Sequence, residues 1–428
     1  MMRYEMYKDT EIDWLGKIPA SWNVERIKNI GSVNGRVGWK ALKASEYVES
    51  GFFFLSTPNI KEVEIDFVNV NYITAERYYE SPEIMLEVGD ILLVKDGSTL
   101  GIVNVIRHLP AKGTVNSSIA VLRIKKFHAV YGYYFLLSNY IQNVIQLKKD
   151  GMGVPHLFQK DINNFEILVP SSEEQTTIAN YLDTKTRAID KKISLLDKKI
   201  GYYQELRKSL INETVTKGLD KNVKLKESGI DWIGQIPEHW EVRRIDSLFK
   251  ERSEKVSDVD FRPLSVSMGG IVPQMDGTAK TQNNENRKRV YKGDIVLNSR
   301  SDRRGASGLS NFDGSVSVIS IVIAPLSSVH RSYFHHFFKS HSFTEEFYKN
   351  GKGIVDDLWS TKYSVMKTFM VPVPPHKEQV NITDYLAEKI SIIDQIITNL
   401  QTQITTLKEL RKTLINDVVT GKIKVTQD

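Results

Sequence analysis

The sequence predicts a mixed α/β (α+β) protein in which two similar globular domains are separated by two long helices. The prediction comes from an internal repeat. Residues 13–27 return as residues 231–245 at a constant offset of 218, and residues 174–216 return as 378–420 at an offset of 204. We therefore expect four regions in the chain. These are a first domain with its leading segment (1–172), a first helix (173–217), a second domain with its leading segment (218–376), and a second helix with a tail (377–428).

Both long segments carry apolar residues at spacings of 4, 3, 4, 3, 3 and 4, which is typical of a coiled-coil seam with the same stutter in both copies. The seam residues are Ile189, Ile193, Leu196, Ile200 and Leu210 in the first helix and Ile393, Ile397, Leu400, Ile404, Leu407 and Leu414 in the second. Tyr203, Leu206 and Leu410 continue the pattern. Each narrow stripe needs a partner, and the chain contains one matching partner. A pseudo-twofold internal repeat then predicts an intramolecular, antiparallel coiled coil; an intermolecular coiled coil through each helix is the alternative.

Pro170 and Pro374 precede the predicted helices, and Ser171 or Ser172 is placed to cap the first. Within each domain, a Gly-Asp-Ile turn at Gly89 or Gly293 leads into a strand. A further strand is predicted over 118–124 and over 316–323, followed by a helix over 133–147 and over 333–348. A Gly-x-Gly loop at 151–153 and 351–353 and a last strand complete each domain. The two domains are therefore expected to share a topology and to differ in their polar loops.

The composition excludes several functions. The 428 residues include no Cys, so a disulfide framework, a thiolate zinc site and a cysteine nucleophile are ruled out. No apolar run approaches the ~18 residues of a membrane span, and we expect a soluble, cytoplasmic protein. Nucleotide-binding loops and zinc-protease or serine-hydrolase motifs are absent. The histidine-rich stretch contains no i,i+4 pair and is not expected to bind metal; it comprises His330, His335, His336 and His341.

Basic and polar residues at predicted loop positions point to nucleic acid, which the net charge of +6 permits. Lys and Arg neutralise phosphates, whereas Arg can also read guanine and Asn can read adenine. The candidates in the first domain are Lys95, Ser98, Thr99, Lys112, Asn116, Ser117, Lys149, His156 and Lys160. Those in the second domain are Arg287, Arg289, Asn298, Arg300, Arg303, Arg304, Lys352 and Lys362. The alternative is that these residues belong to solvated surface loops.

Three paired motifs together resemble one known family. Asp-Trp-[Leu/Ile]-Gly-x-Ile-Pro-x-x-Trp opens each half, Gly-Asp-Ile lies within each domain, and Val-Pro-x-x-x-Glu-Gln begins each helix, at Val169 and at Val373. This arrangement is similar to the specificity subunit of type I restriction-modification systems. The resemblance covers essentially the whole chain.

The resemblance implies a non-catalytic subunit with two target recognition domains, which acts in defence against foreign DNA. Its expected partners are double-stranded DNA, two modification subunits that methylate adenine using S-adenosylmethionine, and two restriction subunits that use ATP and Mg²⁺. No cofactor is expected in this chain. Because the domains diverge, the target should be bipartite and asymmetric, with an unread spacer. Two other classes remain open: an enzyme in its own right, and a coiled-coil scaffold or inhibitor without DNA function.

Overall fold

The computed structural model describes residues 2–12, 15–36, 42–125, 127–149, 155–274, 285–326, 329–353 and 359–425. The chain forms two compact units. Unit 1 comprises residues 1–197 and 401–428, and unit 2 comprises residues 198–400. The predicted Gly-x-Gly loop at 151–153 and the residues Asp13 and Trp14 of the first leading motif lie outside the described residues.

The first half of the chain contains eleven described strands and six helices. The strands are β1 (Tyr7–Asp9), β2 (Lys17–Pro19), β3 (Asn23–Arg26), β4 (Gly31–Asn34), β5 (Phe52–Leu55), β6 (Asn71–Ile73), β7 (Ile91–Val94), β8 (Val103–Val105), β9 (Gly113–Val115), β10 (Ile119–Ile124) and β11 (Glu166–Val169). The helices are α1 (Ile27–Ile30), α2 (Ala75–Tyr79), α3 (Ala129–Leu136), α4 (Asn139–Lys148), α5 (Gln159–Asn163) and α6 (Ser172–Lys217).

The second half contains thirteen described strands and four helices. The strands are β12 (Leu225–Glu227), β13 (Gln235–Pro237), β14 (Glu241–Arg244), β15 (Phe249–Glu251), β16 (Lys255–Val256), β17 (Leu264–Ser267), β18 (Gly270–Pro273), β19 (Arg287–Val290), β20 (Ile295–Asn298), β21 (Ser307–Leu309), β22 (Gly314–Val316), β23 (Ser320–Pro325) and β24 (Met370–Val373). The helices are α7 (Arg331–Lys339), α8 (His341–Lys349), α9 (Tyr363–Met366) and α10 (His376–Val419).

Each unit is built on a four-stranded antiparallel sheet with the same strand order, β4-β10-β7-β8 in unit 1 and β15-β23-β20-β21 in unit 2. Both faces of the sheet are covered in unit 1. Ile91 and Leu93 of β7 enter one hydrophobic core, whereas Leu92 and Val94 enter a second core. Burial on both faces explains why this strand is an unbroken apolar run rather than an alternating one.

The Gly-Asp-Ile turn has a defined structural role. Gly89 and Gly293 adopt φ values of +95° and +93°, a left-handed conformation that favours glycine. The Asp90 carboxylate then accepts hydrogen bonds from the Glu87 backbone N–H and from Arg123, all at 2.8 Å. The equivalent carboxylate in unit 2 is Asp294, which binds the Tyr291 backbone N–H and Arg252 at 2.9 and 2.6 Å.

Three predictions within the domains are wrong in detail. The helix predicted over 133–147 is two helices, because Ser138 caps α4 by accepting a hydrogen bond from the Ile141 N–H at 3.3 Å. Ser340 divides α7 from α8 in the same way. The strand predicted over 316–323 is broken by a turn, in which the Ser320 N–H bonds the Ser317 carbonyl at 2.9 Å.

The prediction that the two domains share a topology holds for the four-stranded sheets but not for the smaller ones. In unit 1, β5 lies between β6 and β9 and pairs with β9 in parallel. In unit 2, β19 lies between β16 and β22, and both pairings are antiparallel.

The long helices α6 and α10 confirm the predicted helical segments, and Ser171 caps α6 through the Glu174 N–H at 3.3 Å. Inside unit 1 the first part of α6 packs antiparallel to the last part of α10. Ile178 and Leu182 share a core with Val419, and an ion pair joins Asp190 to Arg411 farther along. Inside unit 2 the first part of α10 packs against the last part of α6. Ile382 and Leu386 of α10 share a core there with Ile211 and Val215 of α6.

The predicted seam residues Ile200, Ile393, Leu400, Ile404 and Leu414 are buried. The remaining seam residues, Ile189, Ile193, Leu196, Leu210, Ile397 and Leu407, are half-buried. Leu206 and Leu410, however, are about half exposed, so their assignment to the seam is wrong. The next residues, Arg207 and Arg411, instead form ion pairs with Asp394 and Asp190. The regular spacing of three and four residues runs through 200, 203, 207 and 210 in α6 and through 404, 407, 411 and 414 in α10, so Arg207 and Arg411 occupy the seam positions next to the two leucines.

Contacts at the helix starts explain the repeated motifs. The indole N–H of Trp22 donates to Glu174 at 3.0 Å, and that of Trp240 donates to Glu378 at 2.9 Å. Both indoles are fully buried, so their N–H groups require an acceptor. The tryptophan of each leading segment therefore fixes the first turn of a long helix against its own unit.

The buried glutamine beside each of these glutamates ties the helix start to the body of the unit. Gln175 accepts a hydrogen bond from the His128 N–H at 2.8 Å and donates to the Pro170 carbonyl at 2.9 Å. The second unit repeats both bonds at 3.0 and 2.8 Å through Gln379, His330 and Pro374.

Candidate nucleic-acid interface

Three segments of unit 1 meet at the carboxyl end of β7. They are the loop 95–101, the turn 116–118 and the stretch 155–160, and backbone hydrogen bonds hold them together. The Lys95 N–H donates to the Ser118 carbonyl and the Leu157 N–H donates to the Lys95 carbonyl, both at 2.8 Å. The predicted residues that this arrangement brings together are Lys95, Ser98, Thr99, Asn116, Ser117, His156 and Lys160.

Unit 2 uses the same three positions at the carboxyl end of β20. They are the loop 299–306, the turn 317–319 and the stretch 359–362. The Thr361 N–H donates to the Ser299 carbonyl at 3.0 Å, and the Ser299 hydroxyl donates to the Ile319 carbonyl. The predicted residues brought together here are Asn298, Arg300, Arg303, Arg304, Lys352 and Lys362. We refer to these two loop clusters as the unit 1 interface and the unit 2 interface.

Three of the Lys and Arg side chains in the two interfaces have acidic neighbours. Lys95 contacts Asp96 at 3.1 Å, Arg300 contacts Asp302 at 3.0 Å, and Arg304 contacts Glu345 at 3.3 Å. The two arginine pairs are exposed and contribute about 0–1 kcal/mol each, so a phosphate can displace their carboxylates at low cost, whereas the Lys95–Asp96 pair is largely buried. The exposed Arg303 side chain forms no ion pair with any described residue.

Other predicted residues lie away from the loop clusters or serve the scaffold. The basic run at 287–289 lies on strand β19, not in a loop as predicted. Arg287 is buried and donates to Ser315 at 2.9 and 3.1 Å, and burial lowers its pKa. Arg289 lies over the Phe261 ring at 3.7 Å. The buried Asn298 accepts a hydrogen bond from the Arg300 N–H at 3.0 Å, which shapes the loop.

Lys112 and Lys149 are exposed but lie at other positions in unit 1. Lys112 precedes β9, whereas Asn116 follows it, so the two residues lie at opposite ends of that strand. Lys149 directly follows α4 as its C-cap and precedes residues that are not described.

The sequence prediction missed exposed apolar and aromatic side chains at the same loop clusters. Val318 and Ile319 are 45% and 43% exposed, although the sequence placed them inside a strand. In unit 1, Phe158 is also exposed, and the Lys160 ammonium lies 5.2 Å from its ring centre. The interfaces are therefore not purely polar.

The histidine-rich stretch forms part of the packing of unit 2. His335 Nδ1 accepts a hydrogen bond from the Leu309 N–H at 3.1 Å, a contact that requires this nitrogen to be unprotonated. Burial lowers the pKa of His335 to about 3 and that of His336 to about 4. Among the described residues, no group of three His, Asp, Glu or Cys is placed to hold a metal ion. Within the same residues, no helix is long and apolar enough to cross a membrane.

Comparison with known proteins defines the class. Residues 19–196 match the family described as the type I restriction modification DNA specificity domain. The MjaVIII specificity subunit of a type I restriction enzyme from Methanocaldococcus jannaschii is 24% identical over 96% of this chain and 94% of its own length. The MjaX specificity subunit of the same organism is 25% identical over 98% of this chain and 97% of its own.

Two solved structures share the fold. A chain from a study of complex assembly and conformational transition in the type I restriction-modification system superposes with a TM-score of 0.72. The superposition covers 95% of this chain and 99% of the other chain, at 14% sequence identity. The HsdS subunit from Thermoanaerobacter tengcongensis gives a TM-score of 0.52 at 15% identity, over 95% of this chain and 98% of its own. The matched domain, the relatives that are similar over nearly the whole chain and the shared fold all support a type I restriction-modification specificity subunit, a protein of DNA sequence recognition.

Proposed function

We propose that this chain reads an asymmetric, bipartite target in double-stranded DNA, with one part read by each unit, and that it performs no catalysis itself. The observation that carries the proposal is the repetition of one three-segment interface with different side chains. At equivalent positions, unit 1 has Asp96 and Ser117 where unit 2 has Arg300 and Val318. A shared scaffold with unlike surface chemistry supports two unlike half-sites rather than a palindrome.

The proposed division of labour follows from side-chain chemistry. Exposed lysines, such as Lys352 and Lys362, would neutralise phosphates and fix the register of the protein on the duplex. Asn116 and Arg300, which are half-exposed, carry the side-chain groups that can read adenine and guanine edges. Each phosphate contact should add about 0.9 to the slope of log affinity against log salt concentration.

The proposed partners are two modification subunits, which would bind S-adenosylmethionine and methylate adenines in the target. Two restriction subunits, which would use ATP and Mg²⁺, complete the proposed nuclease. Support comes from the full-length similarity to specificity subunits of type I restriction enzymes. The target adenines lie inside the duplex, so the modification subunits must flip them out before methylation.

The test is to express the chain with its cognate modification subunit and to map N6-methyladenine across the host genome. We expect one motif with two unlike parts separated by a spacer of fixed length. Replacing Arg303 and Arg304 together by Ala should relax the part read by unit 2 and leave the other part intact. A matched double variant at Lys95 and Lys160 should do the reverse. A palindromic motif, or an unchanged motif in both variants, would contradict the proposal.

A second measurement addresses catalysis and DNA binding separately. Purified chain without partners should transfer no labelled methyl group to DNA, whereas the complex should. The complex should also bind DNA with strong salt dependence. Methyl transfer by the isolated chain would show that it is an enzyme. A complex that binds no DNA at any salt concentration would show that the chain is a scaffold without DNA function.

A further inference from the structure

Val318 and Ile319 form an exposed apolar tip within the unit 2 interface. Their side chains are 45% and 43% exposed, while the neighbouring Val316 and Ser320 are buried. The tip is held in place, because the Ser299 hydroxyl donates to the Ile319 carbonyl and the Ser320 N–H donates to the Ser317 carbonyl at 2.9 Å. Among the described residues, neither Val318 nor Ile319 belongs to a hydrophobic core of unit 2.

The equivalent turn in unit 1 has the opposite chemistry. It consists of Asn116, Ser117 and Ser118, and it is tied to the end of β7 by the bond from the Lys95 N–H to the Ser118 carbonyl at 2.8 Å. The fold therefore does not require apolar residues at this turn. The two turns therefore present different chemistry to solvent at equivalent positions.

The surroundings of the tip are cationic and polar. Lys288 donates to the Ser320 carbonyl at 2.9 Å, directly beside the tip, and also donates to Glu251 at 3.2 Å. Arg300 follows Ser299, whose hydroxyl holds the tip, and the exposed Arg303 lies in the same loop. Cations in this position suit a phosphate backbone. The apolar tip beside these cations suits an apolar group that lies close to the phosphate backbone. In the major groove of DNA that group is the 5-methyl of thymine.

We propose that Val318 and Ile319 contact the 5-methyl group of a thymine in the half-site read by unit 2 and select that base over cytosine. This inference rests on the proposed function, since it names part of the chemistry by which one half-site is read. It differs from the phosphate and guanine contacts proposed above, because it requires neither charge nor hydrogen bonding from the side chains.

The test uses the complex of the full chain with its modification subunit and duplexes that carry the mapped motif. Each thymine of the unit 2 half-site is replaced in turn by deoxyuridine, which lacks only the methyl group. At one position the replacement should weaken binding about fourfold, the effect of burying roughly one methyl group. The Val318→Ser, Ile319→Ser double variant, which copies the polar turn of unit 1, should bind the thymine and deoxyuridine duplexes equally.

Leu326→Ser is the matched control. Leu326 is 42% exposed but follows the other end of β23, so this variant should discriminate like the wild type. The single variant Val318→Ser repeats the measurement with a smaller change that leaves the Ile319 side chain in place. Wild-type complex that binds the motif but ignores every deoxyuridine overturns the inference. Discrimination that persists in the double variant also overturns it.

A third result would point elsewhere. If the double variant weakens thymine and deoxyuridine duplexes equally and abolishes DNA bending, the tip acts as a wedge between base steps and the methyl proposal is wrong. All of these results presuppose specific binding. Failure of the proposed function would instead appear as the absence of any sequence preference in the wild-type complex.

Discussion

Two equivalent ion pairs between the long helices differ in burial. They should therefore contribute differently to the free energy of unfolding. Arg411 and Asp190 in unit 1 approach to 3.0 Å, and their side chains are only 15% and 18% exposed. Arg207 and Asp394 in unit 2 approach to 3.3 Å, with side chains 39% and 54% exposed. Arg207 Nε lacks a hydrogen bond of good geometry, whereas Arg411 Nε donates to Asp190. The two pairs form a natural matched experiment.

The perturbation is Asp190→Asn in one variant and Asp394→Asn in the other, which remove a charge at nearly constant size. Breaking a fully buried pair costs about 3–5 kcal/mol because the remaining charge is left unpaired. Some of each unit 1 side chain still reaches water, so we expect a loss of about 2–3 kcal/mol for Asp190→Asn. Exposed pairs contribute about 0.2–1 kcal/mol, and we expect Asp394→Asn to cost less than about 1 kcal/mol.

Hydrogen–deuterium exchange measures each unit separately, through the central strands β10 in unit 1 and β23 in unit 2. Asp190→Asn should lower the opening free energy of β10, and Asp394→Asn should change that of β23 only slightly. Raising the salt concentration should remove the small effect in unit 2 and leave the larger one, because buried charges are poorly screened. Equal losses in the two units, or a larger loss for Asp394→Asn, would refute the reasoning from burial.

Three further predictions follow from the scaffold. Gln379→Ala leaves a buried backbone N–H and a buried carbonyl without partners and should destabilise unit 2 by about 2–4 kcal/mol in urea unfolding; a loss below 1 kcal/mol would contradict this. His335 has a folded pKa far below its unfolded value, so its stabilising effect is complete above about pH 6.5 and is lost as the pH falls towards 3. His335→Asn should therefore flatten the decline in melting temperature between pH 7 and pH 5, and an unchanged slope would count against the buried neutral imidazole. Leu400→Glu should disrupt the helix pair and lower exchange protection in α10, whereas Leu410→Glu, at a half-exposed site, should behave as the wild type; equal effects would show that the seam is misassigned.

The repeat made the scaffold predictable from sequence, because the repeated residues include those that form buried hydrogen bonds. Trp22 and Glu174 recur as Trp240 and Glu378 since each indole N–H needs its carboxylate. Residues that serve the scaffold but are not repeated were harder to recognise. Arg287 was predicted to bind DNA from its charge alone, and only the structure reveals its buried bonds to Ser315.

Some element boundaries were missed because the apolar periodicity of the sequence continues across them. Ser138 and Ser340 are good helix caps in the middle of segments that otherwise look like single helices. Val318 and Ile319 belong to a run of β-branched residues, for which a continuous strand is the natural prediction. The turn that exposes them depends on a tertiary contact with Ser299, which lies 20 residues away in sequence, so local sequence could not reveal it.

The two units also show how the scaffold is kept while the interface varies. The Asp90 carboxylate binds Arg123 from strand β10, but the equivalent Asp294 binds Arg252, which follows β15. The arginine comes from a different strand in each unit, yet the same carboxylate is satisfied. This pair lies at the start of the β7 or β20 strand, whereas the interface lies at its other end, about 13 Å away at 3.3 Å per residue. Because the scaffold's buried polar groups are satisfied at one end, residues 116–118 and 317–319 at the other are free to differ. We therefore expect exchange of these two turns to alter base preference with little change in stability, and a large loss of stability would show that the two ends are coupled.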